Sequence, residues 1–178
     1  MTMAISDTSN KAPFDVGSNN NETLAVRMRA AIMSNGHKTT YHRPIMQSLV
    51  SGDVTNEKYA QHLVNTEAFM KELEDGIEYN KNLPYIQPLG MPEILRTEAI
   101  KEDMKLFKDI KTESLHEVAE YVNHIKYISQ NTPHLLVAHA YSHYLGYIFG
   151  GSTFYKSLQP KFGENHTKLY QFYDLKKK

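Results

Sequence analysis

Apolar residues recur along this chain at intervals of three and four, the spacing that places side chains on one face of an α-helix. The longest such stretch follows Thr55 and carries one apolar face: Tyr59, Leu63, Met70, Leu73 and Ile77. Glutamate and lysine occupy the opposite face, so the pattern predicts an amphipathic helix of about 25 residues. Thr55 is placed to start this helix, and Leu83-Pro84 to stop it.

Four further apolar patterns predict shorter helices, over residues 24–35, 45–51, 94–107 and 115–128. Asn21 or Thr23 can cap the first of them, and Gly52 can close the second in a left-handed conformation. Thr132-Pro133 marks the start of a last helix, since threonine caps helices and proline is tolerated at the first helical position. Alternating strand patterns are missing from the sequence. The chain is therefore predicted to be all-α, a compact helical bundle.

The last predicted helix is mostly apolar and contains Gly146, Gly150 and Gly151. A glycine inside a helix costs roughly 0.5–1 kcal/mol relative to alanine, so its presence needs a reason. Gly146 and Gly150 lie one turn apart on one face, where bare backbone admits either a second helix or a planar ligand. Glycine spacing alone favours helix packing, because Gly-xxx-Gly is a pattern of low specificity outside membranes.

Composition narrows the classes of function. A length of 178 residues suffices for one domain with a core of ordinary size. The 20 basic and 20 acidic side chains balance, which gives no support to nucleic acid or an acidic membrane as the main partner. The absence of cysteine excludes disulfides, thiolate metal sites and cysteine nucleophiles, and fits a reducing cytoplasm.

The start of the chain differs in composition from the rest. Residues 1–21 are rich in Ser, Thr, Asn and Asp and lack the hydrophobic segment of a secretory signal, so we expect a disordered leader. Residues 22–178 are expected to form a single all-α domain. No apolar run in the sequence reaches membrane-spanning length.

Residues 135–151 combine several motifs in a fixed order. They read Leu-Leu-Val-Ala-His-Ala-Tyr, two variable positions, Tyr-Leu-Gly, and close on Gly-Gly. This segment resembles the distal helix of the haem oxygenases, and residues 69–107, with Glu72-Leu-Glu and Ile77-Glu-Tyr-Asn-Lys81, resemble that family's preceding segments. The resemblance spans about residues 22–175. It implies a compact helical bundle that holds haem between a proximal helix and a glycine-kinked distal helix.

The same alignment places His37 at the position of the proximal haem ligand without an insertion. Neutral imidazole is a suitable donor to haem iron and leaves the opposite face of the iron free for oxygen. Without the resemblance, His37 reads as a residue that ends the first helix beside Gly36. His42, the nearby competitor, is displaced from the aligned position and is interpreted as a surface residue.

The resemblance also implies a reaction and its partners. Haem is substrate and oxygen activator, and O2 with external electrons converts it to biliverdin, carbon monoxide and ferrous iron. The electrons are expected from ferredoxin or flavodoxin, served by an NADPH reductase, with a bilin reductase as a possible downstream partner. We expect a cytoplasmic monomer that binds neither nucleic acid nor a membrane.

The predicted distal site departs from the family at several positions. The family usually holds ordered water with an aspartate directly after the first distal glycine, where this chain has Tyr147. It commonly has arginine at the position of His143 and tyrosine at that of Met70. A phenol is neutral and bulkier than a carboxylate. We expect Tyr147 and His143 to form a rebuilt network, with Gly146 and Gly150 shielding the macrocycle and Gly151 beside it.

The haem propionates require cations or hydroxyl groups at the mouth of the pocket. Tyr141 matches a family tyrosine that serves there, while Lys168 and Arg29 lie near the family's basic positions. Ordinary solvated charge is the alternative for both cations. His139 matches a family histidine, and we expect it to be hydrogen-bonded and structural.

Two other functions compete with ring opening. A haem-binding protein for storage, delivery or sensing would retain the haem site while Tyr147 blocks the oxygen chemistry. A di-iron carboxylate bundle would use pairs one helical turn apart, of which the chain has three: His139 and His143, Glu74 and Glu78, and Glu120 and His124. Helices carry such pairs by chance, so the di-iron case is the weaker.

Overall fold

The structure, a computed structural model, describes residues 23–31 and 43–171. The chain divides into two compact units, Met1–Tyr41 and His42–Lys178, which are considered separately. The expected leader over residues 1–21 lies outside the described residues, as do His37 and His42.

Helices account for all the regular structure of the described residues. The described part of the first unit contains α1 (Leu24–Ala31). The second unit contains α2 (Pro44–Ser51), α3 (Asn56–Tyr79), α4 (Thr97–Met104), α5 (His116–Asn131) and α6 (Leu136–Phe162). Short 3₁₀ turns follow several of them, including Lys168–Tyr170 near the end. The all-α prediction is confirmed, with no strand in residues 23–31 or 43–171.

Local chemistry sets most of the predicted helix ends. The Thr23 hydroxyl accepts a hydrogen bond from the Val26 amide at 3.4 Å at the start of α1. Gly52 closes α2 with φ +81°, and the Thr55 hydroxyl accepts from the Lys58 amide at 3.3 Å to cap α3. These caps agree with the sequence-based expectation.

Two helix starts differ from the prediction. Thr132 does not cap α6, since its buried hydroxyl has no hydrogen-bond partner among the described residues and a 3₁₀ turn over Pro133–Leu135 precedes the helix. The helix predicted over residues 94–107 is shorter and begins at Thr97. The Glu74 carboxylate on α3 accepts from the Thr97 amide at 3.2 Å, so a side chain from a distant helix caps α4.

The core of the second unit lies around α3. Its fully buried residues include Leu63, Met70 and Leu73. The Tyr59 ring stacks on Phe162 of α6 with 4.6 Å between centroids and meets Phe107 edge-on at 5.6 Å. These contacts bring α3 and the end of α6 together.

Helix α6 is continuous through its three glycines and is held at its C-terminal half. The Ser157 hydroxyl donates to the Leu49 carbonyl of α2 at 2.6 Å, and the Lys161 ammonium donates to the Val54 carbonyl at 2.6 Å. No helix among the described residues is both long enough and apolar enough to cross a membrane.

Candidate functional site

The three glycines of α6 have different surroundings. A Cβ built on Gly146 meets no heavy atom of the described residues within 4 Å, and one on Gly150 meets only a ring carbon of Phe154, at 3.8 Å. Gly151 is buried, and a Cβ there would lie 3.2 Å from the backbone oxygen of Tyr170. Gly151, predicted to lie beside haem, is therefore approached by the chain's own backbone instead.

The open side of α6 forms what we call the glycine face: Gly146, Phe149 and Gly150. Gly146 is exposed, and Phe149 is 76% exposed. The exposed Phe149 ring therefore borders the bare backbone of Gly146 and Gly150. In the described part of the chain no residue packs on Gly146.

His143 belongs to a hydrogen-bonded cluster on the flank of α6. The Tyr121 hydroxyl on α5 lies 2.8 Å from His143 Nε2 and 2.7 Å from His139 Nδ1. Phe69 of α3 covers the cluster, with its ring centroid 4.7 Å from that of His143 and 5.8 Å from that of Tyr121. Three helices thus fix the position of the His143 ring.

Burial keeps this cluster uncharged near neutral pH. Burial, and after it the neighbouring His139, lowers the pKa of His143 to about 4. The pKa of His139 is lowered by burial and by the nearby His124, and burial raises the pKa of Tyr121 to about 12. Each imidazole therefore has one N–H donor and one acceptor nitrogen, and Tyr121 keeps its hydroxyl hydrogen.

Tyr147 lies beside Thr66 of α3, on the side of α6 adjacent to the His143 cluster. The Thr66 hydroxyl donates to the His62 carbonyl at 2.7 Å. Burial raises the pKa of Tyr147 well above its ordinary value, and the nearby Thr66 hydroxyl opposes this only in part, so the phenol stays neutral. The predicted partners Tyr147 and His143 therefore have different polar neighbours.

The remaining predicted site residues are those assigned to the haem propionates. Tyr141 lies on α6 and is partly exposed. The Lys168 amide donates to the Asp103 carboxylate at 2.8 Å, while the Lys168 ammonium lies 4.0 Å from Glu102. Arg29 lies in α1 of the first unit. The roles of these three residues, and of His37, stay predictions.

Sequence reasoning missed the partners of the distal side chains. Tyr121, Thr66 and Phe69 each contact a predicted site residue, yet they lie on helices remote in sequence from α6. Helical spacing assigns them only to faces of α3 and α5. Met70, aligned with a family tyrosine, is fully buried in the core and supplies no polar group.

The di-iron alternative loses its support. Within residues 23–31 and 43–171 no three histidine, aspartate or glutamate side chains are placed to hold a metal ion. The Glu74 carboxylate accepts hydrogen bonds from the start of α4, and Glu120 lies 3.9 Å from His116 on the surface. The candidate carboxylates therefore serve helix ends and exposed pairs.

Comparison with known proteins places this geometry in a family. The family model described as heme oxygenase matches residues 22–178. A "Heme oxygenase" from Guillardia theta is 30% identical over 158 residues, covering 86% of this chain and 66% of the relative. "Heme oxygenase 2" from Oryctolagus cuniculus is 32% identical over 146 residues, covering 76% of this chain and 46% of the relative.

Solved structures agree with the sequence comparison. The heme oxygenase structure from Leptospira interrogans matches with a TM-score of 0.77 at 26% identity, covering 86% of this chain and 78% of that one. Heme oxygenase-1 from Synechocystis, solved in complex with heme, has the same fold at a TM-score of 0.77 and 22% identity, covering 86% and 72%. The protein therefore belongs to the haem oxygenase family.

Proposed function

We propose that this protein opens the haem ring with O2 and external electrons, producing biliverdin, carbon monoxide and ferrous iron. Membership of the haem oxygenase family supports the reaction. The observation that carries the proposal is the glycine face of α6, where Gly146 presents bare backbone that no described residue covers. Because glycine has no Cβ, a flat macrocycle can lie close to this backbone, whereas a side chain at position 146 would hold the macrocycle farther away.

In this proposal each side of the haem contacts different elements. His37 would supply an imidazole to the haem iron, and Gly146 and Gly150 would let the flat ring lie close to α6 and restrict access to its edges. Tyr141, Arg29 and Lys168 bind the propionates. The partial exposure of Lys168, 38% for its side chain, and its distant pairing with Glu102 leave its ammonium accessible to a second anion.

His143 and Tyr147 take the polar roles on the distal side. His143 is a neutral imidazole with one nitrogen bonded to Tyr121, so its other nitrogen can donate to or accept from water. Tyr147 offers a neutral hydroxyl beside Thr66. Together they would replace the family's aspartate as the groups that order water on the distal side.

Electrons come from a ferredoxin or flavodoxin with its NADPH reductase, and the product passes to a bilin reductase. The chain spans 66% of the Guillardia theta relative and 46% of the rabbit relative. We propose that it acts as a monomer in the cytoplasm, with neither nucleic acid nor membrane as a partner.

The test is a hemin titration followed by turnover. Purified protein is titrated with hemin, then given ferredoxin, its reductase and NADPH with catalase present, which removes free-peroxide artefacts. We expect loss of the Soret band, absorbance of biliverdin and release of carbon monoxide. His37→Ala is expected to change the Soret spectrum, whereas His116→Ala, at an exposed histidine of α5, leaves it unchanged. An unchanged spectrum in His37→Ala would remove the proximal assignment.

A second candidate, haem binding without ring opening, has one observation in its favour. The Tyr147 phenol is bulky and neutral and lies beside Thr66, at the position where the family usually has a carboxylate. A stable ferrous-oxy complex in the wild type would support this candidate. Tyr147→Phe, which keeps the ring and removes the hydroxyl, distinguishes a phenol that blocks the reaction from one that assists it.

A further inference from the structure

We infer that Tyr121 is a proton-transferring and positioning residue that connects His143, beside the glycine face, to the protein surface through His139. The inference rests on the proposed function, because opening haem with O2 and electrons consumes protons that must reach the distal side. None of the sequence motifs singles out Tyr121. Its role follows from the contacts between α5 and α6.

The geometry gives Tyr121 a place between two imidazoles. Its hydroxyl oxygen lies 2.7 Å from His139 Nδ1 and 2.8 Å from His143 Nε2, both within ordinary hydrogen-bond range. A hydroxyl has a single hydrogen to donate. The two imidazoles are the only hydrogen-bond partners of this hydroxyl among the described residues, so its hydrogen goes to one of them and its bond to the other requires an N–H. One of the two facing nitrogens therefore carries a proton and the other does not.

This constraint couples the two imidazole tautomers. In one arrangement His143 Nε2–H donates to Tyr121, Tyr121 donates to His139 Nδ1, and both rings are the Nε2–H tautomer. In the other arrangement His139 Nδ1–H donates to Tyr121, Tyr121 donates to His143 Nε2, and both rings are the Nδ1–H tautomer. The two rings therefore always share one tautomer while they are neutral.

Conversion between these arrangements moves one proton without creating a charge on the cluster. A proton binds His139 Nε2 from the solvent side, and the Nδ1 hydrogen of His139 passes to the Tyr121 oxygen. The Tyr121 hydrogen passes to His143 Nε2, and His143 Nδ1 releases its hydrogen to a water molecule on the distal side. One N–H or O–H bond forms and one breaks at each residue, so a single proton enters and a single proton leaves.

The surroundings of the cluster suit this transfer. His139 is partly exposed, and the ring of the exposed His124 lies 5.6 Å from it, so the outer end reaches solvent. Phe69 covers the inner end and packs on both His143 and Tyr121. Hydrogen bonds shielded from water in this way keep their geometry. The raised pKa of Tyr121 and the lowered pKa values of both histidines agree with neutral partners.

The first test uses the protein without haem. Nitrogen-15 NMR of labelled histidine reports which ring nitrogen carries the proton, and we expect His139 and His143 to show the same tautomer. Tyr121→Phe keeps the ring that packs on Phe69 and removes the hydroxyl, and should shift the nitrogen signals of both histidines. Tyr127→Phe, at a tyrosine of α5 that is 61% exposed, should shift neither. Opposite tautomers in the wild type would overturn the linkage.

The second test measures ring opening. Tyr121→Phe is expected to slow it at least tenfold while the hemin dissociation constant stays within twofold, and Tyr127→Phe is expected to retain the wild-type rate. His139→Gln provides an independent variant, since glutamine can still bond to Tyr121 but cannot take up a proton at one atom and release it at another. Wild-type rates in both Tyr121→Phe and His139→Gln would overturn the inference.

The two tests separate this inference from the proposed function. If the wild type binds hemin but never opens it, the proposed function fails, and the tautomers in the haem-free protein still decide whether the two histidines are coupled. If the wild type opens hemin and the variants do so equally fast, the proposed function stands and the proton path is refuted.

Discussion

The Gly146→Ala variant tests whether the glycine at position 146 is required for folding or for haem binding. An alanine methyl at this position meets no heavy atom of the described residues within 4 Å, so the fold itself has room for it. Alanine is favoured over glycine in a helix interior by about 1 kcal/mol. We therefore expect the haem-free variant to be more stable than the wild type.

The magnitude of the two effects can be worked out separately. A gain of about 1 kcal/mol raises the melting temperature by roughly 2–4 °C for a chain of this size. If haem lies against the Gly146 backbone, the same methyl intrudes into a packed contact. Overpacking of that kind costs about 1–3 kcal/mol, which corresponds to roughly 5- to 150-fold weaker hemin binding.

The assay pairs thermal unfolding of the haem-free protein with hemin titration by the Soret band. Gly151→Ala is the matched control, because its methyl would lie 3.2 Å from the Tyr170 backbone oxygen and should destabilise the fold whether or not haem is present. A Gly146→Ala variant that melts below the wild type would show that part of the chain packs on this glycine. A stabilised variant with unchanged hemin affinity would show that haem binds elsewhere.

Three further predictions concern stability. Burial lowers the pKa values of His62 and His143 to about 4, so unfolding takes up protons and the free energy of unfolding should fall as the pH drops from about 6.5 to 4, by about 1.4 kcal/mol per unit for each histidine. Burial raises the pKa of Asp103 to about 6 although two amide donors oppose the shift, so below pH 6 unfolding releases one proton from Asp103 and offsets the uptake by one histidine. Urea unfolding at several pH values measures the net slope. An increase in stability towards pH 4 would contradict this prediction. Asp103→Asn should lower the free energy of unfolding by about 1–3 kcal/mol, because the single oxygen of an amide cannot replace a carboxylate that accepts from two backbone amides at 2.8 and 2.9 Å. In the same urea experiment the surface variant Glu102→Gln should change this free energy little. Gly52→Ala should lower the free energy of unfolding, measured by thermal unfolding, by about 2 kcal/mol or more, since φ is +81° and the new methyl would lie 2.6 Å from the Ser157 carbonyl oxygen. A variant as stable as the wild type would show that the end of α2 can move away from α6.

The order of the helices and several of their ends were predictable because they depend on near neighbours in the chain. The apolar face of α3 has the 3.6-residue period of a helix, and Gly52 and Thr55 act on amides and carbonyls within a few residues. The distal-helix motif is likewise contiguous in sequence. Local periodicity could not predict the start of α4, because the carboxylate that caps it comes from Glu74 on another helix.

The chemistry of the site required the tertiary structure. Sequence alone assigned Gly146, Gly150 and Gly151 to haem binding, but the Tyr170 backbone packs on Gly151 while no described residue lies within 4 Å of a Cβ on Gly146. Sequence also paired His143 with Tyr147, whereas the rotation of α6 against α3 and α5 directs the first to Tyr121 and the second to Thr66. The residue pattern determined which face of α6 carries glycine and which carries hydrogen-bonding groups. Only the contacts between helices far apart in sequence decided their partners, because a helix's rotation about its axis is set by the neighbours against which it packs.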